Sequence, residues 1–427
     1  METKNLTLGE KIKLIRKAQG ITMSELADSV HVDKGRFSRI ENNIDTCHPG
    51  ILADVRRILK IEGMPLFDNE RESFETRMHA WRDLINEDKT EEADALQEEL
   101  SAITRLPFEH DYIALFNLFK VMQLLGTDKK AVQELISDVK SYLENASDKV
   151  LYCYYYLIGS INYQETKYEA AFSYYLKAYK LKHRWYTDHY WLYFYLASAA
   201  NKIGWLIHSI KYAQEARAKY KSSKFSKFNW FINNLLALNY IGLSFFDKAK
   251  ERLNGCFTEA KRENNNEYIG YAYVNYSYLY CRQKDWHTAI SYSNMALKIV
   301  TQGTQDHFEA IYQRARALVG LGDRSECQRL LNDAKKLAKD DECYSVQFRA
   351  LECLLTLRDD SSIDYLVETA IPYFIKSFPD AATILDFCEL LMEEFNRPHT
   401  SHQKKAHYIS AVMNEVYKNM TGRGELK

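Results

Sequence analysis

Apolar and small residues recur along this chain on two scales. Within helix-sized segments apolar positions return every three or four residues, the period of an amphipathic helix. Between segments a small residue returns: Ala131, Ala171, Ser209, Ala249, Ala289 and Cys327 follow one another at a nearly constant spacing of about 40 residues. Twelve positions before each mark, in the preceding helical segment, stand Phe119, Gly159, Ala197, Ala237, Ser277 and Ala315, five of the six small. Seven positions after it, in the last five units, stand Ala178, Ala216, Cys256, Ala296 and Ala334. Small side chains at such points let paired helices approach closely, while the larger ones between them fill the groove of the next pair. A period of this length predicts an array of stacked helix pairs.

Ahead of the array the pattern is shorter. Leu8, Ile12 and Ile15 share one face of a helix that stops at Gly20, Thr22 and Glu25 form a capping box for a second, and Asp33 caps a third, "KGRFSRIENN". Phe37 and Ile40 turn inward on that third helix, leaving Lys34, Gly35, Arg36, Ser38 and Arg39 outward. Further helical segments at 48–60 and 64–68 complete a bundle. Pro65 and "FDNERESFE" mark its exit, and 70–86 and 90–104 read as a helix pair before Pro107. Past the sixth repeat lies a degenerate helix pair interrupted at Pro372, and after Pro379 two helices that cap the stack. The expected fold is all-α, divided at 1–67, 68–106, 107–378 and 379–427.

Composition narrows the function. With only six prolines and sixteen glycines in 427 residues, connections are short and no strand-like alternation competes with helix. A net charge of -1 gives no global attraction to nucleic acid, so any DNA-binding face is local; the stretch 1–67 holds eleven Lys/Arg against nine Asp/Glu. The eight cysteines include no C-x-x-C pair and read as buried thiols in a reducing compartment. Without an apolar leader or a membrane-length apolar run, the expected location is the cytoplasm, with no membrane partner. Motifs for nucleotide, zinc or serine-hydrolase chemistry are missing, so neither a catalytic residue nor a cofactor is expected. His399, His402 and His407 lack acidic or thiolate neighbours at metal spacing and read as a solvated helix start.

Two resemblances follow from these residues. The succession Gly159, Tyr168, Ala171, Tyr175 and Ala178 resembles a tetratricopeptide repeat, here slightly longer than is usual in that family. The stretch 1–67 resembles the helix-turn-helix head of the phage-repressor (Xre) family. Their combination resembles the RRNPP family of peptide-sensing quorum-sensing regulators (NprR/PlcR/Rgg-like). The resemblance implies a right-handed repeat superhelix and a cytosolic homodimer that binds a short signalling peptide in its concave groove and thereby changes its binding to a double-stranded DNA operator. By the family pattern, Lys34, Arg36, Ser38 and Arg39 face the major groove, with Arg16, Lys17 and Thr22 near phosphates. The repeat register places Asn117, Lys120, Tyr156, Asn201, Lys202, Asn234, Asn275, Tyr278, Arg282, Gln313 and Arg316 on the peptide-binding face. Asparagines offer a donor and an acceptor to a peptide backbone, and the cations suit a carboxylate. An alternative is a protein-interaction adaptor or a Rap-like protein that sequesters or dephosphorylates a response regulator, with Gln97 as a water-orienting amide.

Overall fold

The computed structural model describes residues 6–87, 89–181, 190–220, 227–339, 341–357, 359–377, 380–397 and 402–421. Among them every regular element is helical. The chain forms two compact units, residues 1–161 with 180–185, and residues 162–179 with 186–427.

The first unit opens with α1 (Leu8–Ala18), α2 (Met23–Ser29), α3 (Lys34–Glu41) and α4 (Pro49–Ile58). Thr22 and Glu25 close the capping box on α2, and the Asp33 carboxylate accepts the N–H groups of Gly35 and Arg36 to start α3. Ile12, Ile15, Leu26, Ala27, Phe37, Ile40 and Val55 form the buried interior. At Gly9, α1 meets α3 so closely that a β-carbon would lie 2.3 Å from the Ile40 carbonyl oxygen. His31 and Asn43 take positive φ, 55° and 58°. Asn43 also fastens the start of α1, accepting from Gly9 N–H at 3.1 Å and donating to Thr7 Oγ1 at 2.6 Å.

The helical segment expected at 64–68 is not there; residues 61–67 are non-helical. Pro65 has no N–H to contribute. The Glu70 carboxylate instead accepts the N–H groups of Leu66 and Phe67 at 2.8 and 3.2 Å while pairing with Arg56 at 2.6 Å. From there α5 (Asp68–Asn86) packs on α6 (Thr90–Leu100) and α7 (His110–Leu124), burying Phe74, Met78 and Trp81. The α-helix expected to reach 104 tightens to a 3-10 turn over Ser101–Arg105. Next come α8 (Lys129–Lys140) and α9 (Asp148–Gln164), within which the first unit ends.

The second unit continues with α10 (Tyr168–Lys180), then α11 (Tyr190–Lys202) paired with α12 (Leu206–Lys219), and α13 (Lys227–Gly242) with α14 (Phe246–Arg262). In the same way α15 (Asn266–Arg282) pairs with α16 (Trp286–Leu297) and α17 (Gln305–Leu321) with α18 (Arg324–Leu337). The chain closes with α19 (Glu342–Leu355), α20 (Asp360–Tyr365), α21 (Ile371–Ser377), α22 (Ala381–Phe395) and α23 (Gln403–Met420). A π-helical turn at Leu366–Ala370 precedes Pro372 and widens the ladder where proline offers no donor.

The recurring small residues are contact points. Ser209, Ala249, Ala289 and Cys327, with their partners Ala197, Ala237, Ser277 and Ala315, have no exposed surface. Where a member carries a donor it bonds the partner's backbone: Ser209 Oγ to Ala197 O at 2.7 Å, Ser277 Oγ to Ala289 O at 2.8 Å, Cys327 Sγ to Ala315 O at 3.6 Å. Ala381, Leu385 and Met420 pack against Leu206, so the C-terminal helices reach back to the start of α12.

Between the paired helices the chain turns through positive φ five residues before every mark: Gly126 (92°), Thr166 (60°), Gly204 (78°), Ser244 (60°), Lys284 (61°) and Gly322 (77°). Only three of the six are glycine, and Thr166, branched at the β-carbon, is the least suited to that region. Its side chain is exposed, so little packing is lost on removing it. Thr166→Gly is therefore expected to stabilise the chain by about 1 kcal/mol, read as a rise in the urea midpoint; an unchanged midpoint would show that the turn is unstrained.

Candidate functional site

In the head, α3 presents the face its sequence predicts. Phe37 and Ile40 are buried, Lys34, Gly35, Arg36 and Arg39 are exposed and Ser38 is half-buried. Arg39 Nε pairs with Asp45 at 2.9 Å on the surface. Lys17 and Thr22 are also exposed, the latter as the cap of α2.

Arg16, expected near DNA phosphates, lies buried between helices of the bundle. It is 7% exposed and grips Glu41 with two parallel bonds, Nε to Oε1 at 2.7 Å and Nη2 to Oε2 at 3.0 Å. A third bond goes to Ile21 O at 2.8 Å. The close approach of α1 and α3 at Gly9 leaves this guanidinium between the helices, where it ties α1 to the end of α3. A buried charge stays charged only when paired in this way.

Within the first unit, Asn117 and Lys120 are half-buried on α7, and Tyr156 is buried on α9. Within the second unit, α11, α13, α15 and α17 carry the remaining predicted residues. Asn275 Nδ2 donates to Asn234 Oδ1 at 2.7 Å, so those two amides act as a pair across neighbouring repeats. Asn201 Nδ2 donates to Asn239 Oδ1 at 3.2 Å. The Lys202 ammonium lies 6.0 Å from the centroid of the Tyr168 ring.

Three predicted peptide contacts are already occupied. Arg282 Nη1 bonds Asp386 Oδ1, and Arg316 Nη2 lies 3.7 Å from Asp386 Oδ2 while its guanidinium covers the Trp286 ring at 5.3 Å. Gln313, 3% exposed, donates to Glu309 Oε1 at 2.8 Å. Arg282 and Arg316, expected to meet a ligand carboxylate, here meet the carboxylate that α22 supplies from within the chain. Two guanidiniums left unpaired at this depth would be costly, and one aspartate serves both.

The sequence reading missed Asp386, Glu309 and Asn239. Asp386 had a signal, an acid inside the apolar run "AATILDFC", but its partners lie far away in sequence. Burial pushes the Asp386 carboxyl up, against the pull of the two arginines. Burial also raises Glu309; Asp380 and Asp306 reinforce the rise, while the Gln313 bond and the Lys202 charge oppose it. The Tyr278 hydroxyl is held well above its usual range by burial, and Cys281 is pushed up to about 12 by the same cause. His402 Nε2 lies 3.5 Å from Asp360, and His399 falls outside the described residues.

No family model matches the chain. It is 23% identical over 386 residues to the transcriptional activator NprA of Geobacillus stearothermophilus, an alignment spanning 86% of this chain and 94% of NprA. Among solved structures it is similar to a Rap protein complexed with competence and sporulation factor, with a TM-score of 0.66 and 18% identity over 81% of this chain and 98% of that one. The quorum sensor NprR in complex with its cognate peptide NprX gives a TM-score of 0.63 at 16% identity, over 81% and 99% of the two chains. The helical repeat fold is therefore shared with these proteins. Among the described residues no helix is long and apolar enough to cross a membrane.

Because Glu309 binds its proton more tightly in the folded chain, the stability it contributes is complete below the ordinary carboxylate range and is lost as pH rises through its raised value. Glu309→Gln is expected to raise the melting temperature near neutral pH and to converge with the parent protein towards about pH 4. Superimposable melting curves at neutral pH would reject this.

Proposed function

We propose that this chain is a peptide-responsive transcriptional regulator of the RRNPP family, in which residues 1–67 bind DNA, 68–106 link, 107–378 hold a short signalling peptide and 379–427 close the array. The observation that carries it is the occurrence, in one chain, of an exposed basic helix α3 on a small bundle and a helix-pair stack whose inner helices carry Asn201, Asn234 and Asn275. The similarity to NprA over most of both chains supports a regulator rather than an enzyme.

On DNA, Lys34 and Arg36 would meet base edges, with Ser38 and Arg39 beside them and Lys17 and Thr22 against phosphates. Arg16 would act indirectly, by fixing α1 against α3. A homodimer would place two such helices on a two-fold-related operator. In the array, the Asn234–Asn275 pair leaves Asn234 Nδ2 and Asn275 Oδ1 for one peptide group of an extended ligand, with Asn117, Lys120, Tyr156, Asn201, Lys202 and Tyr278 as further contacts. Arg282, Gln313 and Arg316 would shape the end of the groove through Asp386 and Glu309. Peptide binding would act by favouring the DNA-competent arrangement. The second function, a Rap-like protein acting on a response regulator, draws on a 24% identity over 142 residues to RapD of Bacillus subtilis, 40% of that protein, and on the half-buried Gln97 of α6.

Selection of the full chain on random duplex DNA is expected to enrich a two-fold-related motif. Changing both Lys34 and Arg36 to Ala should weaken binding to that motif by about 10- to 100-fold. Unchanged specificity would exclude α3 as the reading helix.

A thermal-shift screen of synthetic peptides is expected to yield one that raises the melting temperature. In calorimetry, the double variant Asn234→Ala with Asn275→Ala should bind that peptide about tenfold more weakly. Equal affinity would remove the pair from the groove, and stabilisation only by a folded response regulator would favour the Rap-like function.

A further inference from the structure

Asn239 on α13 has no exposed surface, yet it makes polar contacts in three directions. Its Nδ2 donates to Ser209 Oγ and to Leu235 O, both at 2.8 Å, and its Oδ1 accepts from Asn201 Nδ2 at 3.2 Å. Ser209 in turn donates to Ala197 O at 2.7 Å.

Hydrogen-bond polarity propagates outward along this series. A backbone carbonyl can only accept, so the Ser209 hydroxyl must give its proton to Ala197, and its oxygen is left as an acceptor. Asn239 must therefore turn its amino group towards Ser209 and Leu235, which leaves its carbonyl oxygen for Asn201. Asn201 then has to present its amino group inward. Its own Oδ1 is the acceptor left over on this half-buried amide, with no partner among the described residues.

We infer that Asn239 is a positioning residue: it holds the Asn201 amide in one orientation, so that Asn201 meets a peptide as an acceptor for a backbone N–H. This rests on the peptide-binding function proposed above. The polarity originates at the recurring small-residue position, because Ser209 is the one serine among the marks. Among the described residues, the Asn234–Asn275 pair has no equivalent anchor to a backbone carbonyl.

Asn239→Leu keeps the number and branching of the side-chain heavy atoms, removes the bonds to Asn201, Ser209 and Leu235, and leaves the bond from Ser209 Oγ to Ala197 O in place. In the free full-length chain, nitrogen-15 labelled at asparagine, the Asn201 side-chain amide protons should exchange slowly and should lose that protection in Asn239→Leu. Fast exchange in the parent protein, or protection unaffected by the change, overturns the inference. The second arm uses the tightest peptide from the thermal-shift screen. Asn239→Leu should weaken its binding by about three- to tenfold, Asn201→Ala by a similar factor, and the double variant by no more than either alone. An unchanged affinity in Asn239→Leu, or losses that multiply in the double variant, overturns the positioning role. A merely structural residue would give losses independent of Asn201. If no peptide stabilises the parent protein, the peptide-binding function fails, and the exchange experiment still decides whether Asn239 orients Asn201.

Discussion

The array depends on how closely two helices of a pair can approach. At the marked positions the side chains shrink to Ala, Ser or Cys, and donors at three of these contacts reach across to a backbone carbonyl of the partner helix. Such contacts require the backbones themselves to be near neighbours. That spacing imposes a tight connection, and the left-handed residue five positions earlier supplies it in every case. Large residues between the marks, Tyr175 on Tyr195 and Trp230 on Tyr268 among them, then fill the space between successive pairs. The residues on the first helix of each pair inherit their positions from this arrangement, since that helix is fixed by its partner.

Burial changes what polar residues do in both units. Arg16 and Arg282 look alike in sequence to cations awaiting an anion, but each is matched by a carboxylate of the same chain. In the head the Arg16–Glu41 bridge joins α1 to the end of α3 and so sets how the exposed cations of that helix are presented. In the array Asp386 draws α22 against α15 and α17. The apolar contact of Ala381 and Leu385 with Leu206 holds another side of the same helix. The C-terminal segment is therefore part of the interior of the array.

The repeat spacing made the helix pairs and the inward faces of α3 legible, because these follow from periodicity and capping, which are local. Turn strain was not legible: with Thr166, Ser244 and Lys284 at positive φ, glycine marks only half of the turns. Long-range polar pairing was also hidden. Nothing near Arg16 announces Glu41, and nothing near Arg316 announces Asp386, because a charged residue has the same local pattern whether it faces water or a partner brought by the fold. Asn239 escaped for a related reason. Its position on α13 faces α11 and α12 of the preceding pair, where packing alone would call for a small or apolar side chain, and the hydroxyl of Ser209 gives its amide a reason to be there.

The Arg282–Asp386 bridge spans 104 residues of chain. At ribosomal rates of about 5–20 residues per second, about 5–20 s separate the emergence of the arginine from that of its aspartate. The head can complete its own bridge well before that interval begins, since Arg16 and Glu41 are only 25 residues apart and both precede Arg282. The stack must meanwhile carry two guanidiniums without their acid. The nascent chain thus has a built-in order of maturation: the head is finished early, and the array reaches its final form only once α22 has been made.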